Sequence, residues 1–160
     1  MTIPADDMPM LKLAARGDRE ALTILRDGII AEGNAPTLIP REELAIQAEV
    51  FARLAAEHGV VADKVYLAAI LLLRSGECFR TGEDVRGEQF LQETYGLFDA
   101  IIASDDSEGL VILVNATASL ADDGDDLAAC TLNRLISILS PEQAQQLSTK
   151  VKILNSQLEA

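Results

Sequence analysis

Residues 59–76 read GVVADKVYLAAILLLRSG, and from Val65 to Leu73 every side chain is apolar whichever face of a helix is considered. A helix that is apolar all round belongs either in a membrane or inside a protein. Crossing hydrocarbon takes roughly 20 such residues, and this run is far shorter. The stretch therefore predicts a buried helix, and the rest of the chain reads as what surrounds it.

The whole sequence supports that reading. Its 160 residues suit one domain, and a chain of this size buries about 70% of the surface that its unfolded form exposes. Aromatic residues are only 4% and Trp is absent, so the core must be aliphatic side chains and Ala, which favour helices. Acidic residues number 26 against 13 basic ones, a net charge of −13. Such a surface repels nucleic-acid phosphates and anionic lipid, which argues against nucleic acid or membrane as a partner and for a protein with a basic patch. Cys78 and Cys130 have neither paired spacing nor enough companions for a disulfide framework or a zinc site, which points to a reducing compartment. The amino-terminal MTIPADDMPM lacks the basic and apolar regions of a secretory signal, and the expected location is cytoplasmic.

Outward from the apolar run, punctuation residues divide the chain into about eight helices. Residues 1–8 read as a flexible lead and 9–158 as helical. Pro9 opens a short first helix that Gly17 ends; Asp18 caps a second carrying Ala21, Leu22, Leu25 and Ile29, closed by Gly33. Pro40 with Glu42 and Glu43 starts a third, where Leu44, Ala48, Phe51 and Ala55 form the apolar stripe, and Gly59 terminates it. The buried helix follows, and the stretch SGECFRTG reads as a loop into a fifth helix capped by Thr81 and Asp84. Phe90, Leu91, Tyr95, Phe98, Ile101 and Ile102 give that helix a large inner face, expected beside the buried helix. Asp105 with Glu108 starts a sixth helix, and the DDGDD turn of Asp122 to Asp126 separates it from a seventh carrying Ala128, Leu132, Leu135 and Leu139. Ser140, Pro141 and Gln143 make the clearest start signal, before a last helix with a seam of Leu147, Val151, Leu154 and Leu158.

Taken in pairs, these helices place tight turns at Gly17, Gly59, Ser104 and Ser140, roughly 40 residues apart, the period of stacked helical hairpins. Longer connections are expected between the pairs. The predicted fold is all-α, four antiparallel hairpins in one domain. Two turns also look alike: Ala14, Ala15, Gly17, Ala21 and Leu25 about the first, Ala55, Ala56, Gly59 and Leu67 about the second. These residues resemble the Sel-one-like repeats, a branch of the tetratricopeptide superfamily, over about half of the chain. Asp63 stands where that pattern has Ala, and Arg26 and Ala68 where it has its second Gly. The resemblance implies a right-handed stack of hairpins whose concave face, lined mainly by the first helix of each pair, binds protein.

Candidate functional residues follow from that frame. Glu49, Arg53 and Glu57 lie four apart on the third helix as a ladder of alternating charge. On a first helix such a ladder, with Gln92 of the fifth, would line a groove that accepts a basic peptide. His58, the only histidine, reads as a helix-end cap or packing residue. Cys78 follows a helix carboxy terminus, which does not activate a thiol, and Cys130 reads as a small semi-buried hydrophobe. The DDGDD turn lacks the spacing of a calcium loop, so no metal is expected there. There is no Gly-rich phosphate loop, Walker motif, Cys-x-x-Cys, HExxH or GxSxG. The expectation is a non-catalytic interaction module without cofactor. A structural homo-oligomer completed through residues 65–73 is the alternative, and an enzyme or carrier with an apolar interhelical pocket the third.

Overall fold

The computed structural model describes residues 8–33, 41–122 and 126–148, and among these the chain forms eight α-helices and no strand. They are α1 (Met8–Ala15), α2 (Arg19–Gly33), α3 (Arg41–Ala56), α4 (Val61–Thr81), α5 (Asp84–Ala103), α6 (Ser107–Asp122), α7 (Asp126–Ile138) and α8 (Pro141–Ser148). The architecture is all-α, a stack of antiparallel hairpins, and the helices break at Gly17, Gly59, Ser104 and Ser140 as expected. Pro40, most of the DDGDD turn and the helical seam from Val151 onward lie outside the described residues, as does the lead before Met8.

The turns are fixed locally. Gly17 and Gly59 both have left-handed backbones, with φ of 83° and 79°, a conformation in which any side chain is strained. Each donates its amide to the carbonyl three residues back, Ala14 at 2.9 Å and Ala56 at 3.1 Å. The two turns that look alike in sequence thus share a backbone form, and they touch. His58 Nε2 lies 2.9 Å from the Gly17 carbonyl oxygen; that oxygen can only accept, so Nε2 carries the proton. The histidine links one turn to the next.

The caps are mostly those expected. Asp18 accepts from the Ala21 amide at 2.9 Å. Ser140 and Gln143 form the reciprocal box, each amide donating to the other's side chain at 3.1 Å. The Gln143 amide nitrogen goes further, donating to the Ile102 carbonyl and to Asp105 Oδ1, both at 3.2 Å. This clamps α8 to the α5–α6 turn. Two caps differ from expectation. Asp106, not Asp105, accepts from the Gly109 amide at 3.0 Å, because Asp105 is the turn residue itself, at φ 52°. Thr81 caps nothing: its hydroxyl donates back to the Glu77 carbonyl at 3.1 Å, and no side chain caps α5.

The largest correction concerns the expected loop SGECFRTG, which is helical nearly to its end. Ser75 and Gly76 are weak helix formers, but both are buried, and the Ser75 hydroxyl donates to the Gly87 carbonyl of α5 at 2.7 Å. Packing retains what propensity alone would release. The terminating role falls to Gly82, at φ 81°, with the Glu83 amide reaching back to the Cys78 carbonyl at 2.8 Å. Consequently only Gly82 and Glu83 join α4 to α5, so this connection between pairs is short rather than long.

α4 is the central element, in contact with α3 on one side and with α5 and α6 on the other. Val65 and Ala68 pack with Phe98, Leu113 and Leu135. Leu67, Ile70 and Leu71 pack with Ala48 and Ala52, and Leu72 packs with Leu91 and Ala128. Yet α4 is not covered all round: Tyr66 and Leu73 are each 39% exposed. Their edge faces between α2 and α6, where no described helix closes the surface.

Three charged residues are buried among these elements, Arg74 and the pair of Asp63 and Arg26. Asp63 is 1% exposed and Arg26 3%. Arg26 Nη1 donates to Asp63 Oδ1 at 3.0 Å and Arg19 Nε to Asp63 Oδ2 at 2.7 Å, while Arg26 Nε takes Asp27 at 2.8 Å. The Arg26 guanidinium also lies 3.9 Å over the Tyr66 ring. Asp63 and Arg26 are two of the positions that break the repeat pattern, and they are each other's partners. With either alone, the other's buried contact would be lost and only the more exposed partner would remain, Arg19 for Asp63 or Asp27 for Arg26.

Candidate functional site

Two surfaces present apolar side chains to solvent in an organised way. The first is the outer face of α3. Its inner face is as the spacing required, with Leu44, Ala48, Ala52 and Ala55 all buried. On the opposite side Ile46, Val50 and Leu54 are 43%, 53% and 40% exposed. Their i, i+4, i+8 spacing aligns them in one stripe, and Glu43 and Glu57, both exposed, stand at its two ends. An apolar stripe with a carboxylate at each end is the complement of an amphipathic helix whose flanks are basic.

The charge ladder lies along the edge of that stripe. Arg53 Nε donates to Glu49 Oε1 at 2.9 Å, as i, i+4 spacing allows. Its other two nitrogens form a bidentate pair with Glu93 of α5, both contacts at 2.7 Å. The hydrogen-bonded Glu93 carboxylate, aided by Glu49, holds the Arg53 guanidinium above its ordinary pKa although partial burial acts the other way. Glu49 also accepts from buried Arg74 at 3.2 Å, and Arg74 reaches Glu77 at 3.3 Å. The Arg74 guanidinium lies 5.3 Å from the Phe90 ring centroid. Glu49 and Arg53 are therefore brought together, but as a brace joining α3, α4 and α5. Glu57 is exposed one turn beyond, not paired with Arg53. Gln92 is exposed on α5, where its amide donates to Glu88 at 2.7 Å. Of the four residues read from the sequence, Glu57 and Gln92 are the more open to solvent. Ile46, Val50 and Leu54 were missed, although their spacing was visible; the stronger stripe of Leu44, Ala48 and Ala55 on the same helix accounted for it first.

The second surface is a groove of about 490 Å³ between α2, α4 and α6. Val65 and Ile70 form its buried floor, Tyr66, Leu73 and Ile112 its exposed rim, and none of the described residues that line it is charged. Sequence reading could not place it, because its walls come from three helices far apart in the chain.

The remaining candidates are less exposed to chemistry. Cys78 is 4% exposed, and its burial, with Glu83 adding to the effect, pushes the thiol above its ordinary pKa. Cys130 is exposed, and both cysteines are free. Among the described residues no group of His, Cys, Asp and Glu side chains could hold a metal ion, and no helix is long and apolar enough to cross a membrane. Compared with known proteins, the chain matches no family model, no curated protein and no solved structure. Its function must be read from its own surfaces.

Proposed function

We propose that the protein is a non-catalytic interaction module that binds a basic, amphipathic segment of a partner protein on the outer face of α3. The observation that carries this reading is the stripe of Ile46, Val50 and Leu54 between Glu43 and Glu57, on a chain of net charge −13. Apolar contact supplies affinity, while the terminal carboxylates select cations and set orientation. Glu49 and Arg53 keep α3 in register against α4 and α5, and Gln92 and Glu57 extend the polar margin. The likeness of the Gly17 and Gly59 turns to Sel-one-like repeats supports a protein partner, although the face proposed is the outer one of α3 and not the concave face that the resemblance implies. Two free cysteines accord with a reducing, cytoplasmic setting.

The test uses a fluorescent helical peptide with Leu at three positions four residues apart and Lys at both ends. Val50→Asp should weaken its binding at least about tenfold, the scale of a lost apolar contact with an added unpaired charge. Val85→Asp is the control: Val85 is exposed, apolar and on α5, and the substitution changes net charge equally. Equal losses from both variants would reduce the binding to non-specific attraction and overturn the proposal.

A structural homo-oligomer is the second reading, favoured by exposed Tyr66 and Leu73 on the otherwise buried α4. Light scattering at micromolar concentration decides it. A monomer removes it; a dimer lost on Leu73→Asp would put it first.

A further inference from the structure

We infer that the groove between α2, α4 and α6 is a binding site for a neutral amphiphile, an aliphatic chain with an uncharged polar head. This goes beyond the proposed α3 surface and does not depend on it. The groove volume of about 490 Å³ lies within the range of small-molecule pockets, roughly 300–1,000 Å³. Its floor of Val65, Ala69 and Ile70 offers only hydrocarbon, so an alkyl chain laid there gains by leaving water.

Charge decides the class of head group. No described lining residue is ionisable at neutral pH, so among these residues a cationic head finds no carboxylate and an anionic head no cation. Behind the wall, Arg26 beneath Tyr66 already serves Asp63 and Asp27. A chain carrying −13 further disfavours an anion. What the lining does offer is the Asn115 amide, exposed on α6, and the Tyr66 hydroxyl at the rim. These groups donate to and accept from a hydroxyl, ester or amide. Shape argues against a second copy as the occupant. A two-fold interface sets the same patch against itself, and two concave surfaces face to face would enclose a void.

The experiment uses the whole chain with Nile red, a neutral apolar dye, as reporter, displaced by dodecanol below its solubility limit, or by dodecanoate or dodecyltrimethylammonium below their micelle-forming concentrations. Dodecanol should displace the dye at least about tenfold more effectively than either charged amphiphile, the scale of discrimination a pocket achieves against an unmatched group. Ala69→Phe and Ala116→Phe, filling the groove from α4 and from α6, should each cut dye binding at least about tenfold, with helical circular dichroism retained. Asn115→Leu, an exposed change tolerated by the fold, should narrow the preference for dodecanol over dodecane. Preference for either charged amphiphile would overturn the inference. So would dye binding unchanged in a folded filling variant, or an unaltered alcohol preference in Asn115→Leu. If dye binding instead tracked dimer formation by light scattering, the groove would be an interface and the inference would fail.

Discussion

The outer face of α3 and the groove between α2, α4 and α6 are both apolar surfaces on one small acidic protein, and they differ in shape and in charge. The α3 stripe is convex, one helix wide, and ends in Glu43 and Glu57. The groove is concave, built by three helices, and lined by no charged side chain among the described residues. The difference teaches that apolar exposure alone does not name a ligand. A convex stripe with charged ends fits a structured partner with opposite charges, whereas an uncharged concavity fits a small body that fills it.

The comparison is broken most severely at the groove's own helix. Leu72 and Leu73 are adjacent on α4, but Leu72 is 1% exposed and Leu73 39%. Leu72→Asp should unfold the domain by burying an unpaired charge, a loss on the order of 4 kcal/mol or more. Leu73→Asp should keep the fold to within about 1 kcal/mol yet abolish dye binding. Urea titration followed by circular dichroism measures both; equal stability of the two variants would mean α4 is not packed as described. Next in size is the buried ion pair that backs the groove wall. Asp63→Ala leaves buried Arg26 only the exposed Asp27 and should cost about 3 kcal/mol, whereas the double change Asp63→Ala with Arg26→Leu should recover much of it. If the double variant were no more stable than the single one, the pairing would not be what holds Arg26 there.

Ionic strength separates the two surfaces without any substitution. Between low salt and about 1 M, screening should weaken peptide binding at α3 severalfold while leaving dye binding at the groove unchanged or stronger. Anisotropy titrations of both ligands in one buffer series would show it, and parallel behaviour would erase the distinction. A smaller effect is expected at the brace beside the α3 stripe. Arg53→Ala should cost about 1 kcal/mol, as its side chain is 39% exposed and water screens its ion pairs. The smallest effect on stability is expected from alkylation, which should fall on exposed Cys130 and spare Cys78. Burial raises the Cys78 thiol above its ordinary value. Its folded-state protonation therefore stabilises the protein only until alkaline pH ionises the unfolded thiol. Faster labelling of Cys78 than of Cys130 near neutral pH would contradict this.

Local signals made much of the fold legible. Gly17 and Gly59 read as left-handed terminators and are so; Asp18 and the Ser140–Gln143 box read as caps and are so. Each involves groups within a few residues of one another, which sequence spacing reports directly. The end of α4 was misread because Ser75 and Gly76 look like loop material until packing buries them. The candidate site was legible only in part. The ladder of Glu49 and Arg53 was visible, but not that Arg53 would turn to Glu93 on another helix.

The sequence by itself determined that this chain is helical, where most of its helices turn, and that residues 65–73 lie at its centre, because hydrophobic periodicity, capping and left-handed glycines act over one or two turns. Only the tertiary structure decided which charges meet, as Arg26 and Asp63 do from different helices, and which apolar side chains stay uncovered, as Tyr66 and Leu73 do. Those outcomes depend on how whole helices pack, and packing brings together residues that no spacing along the chain connects.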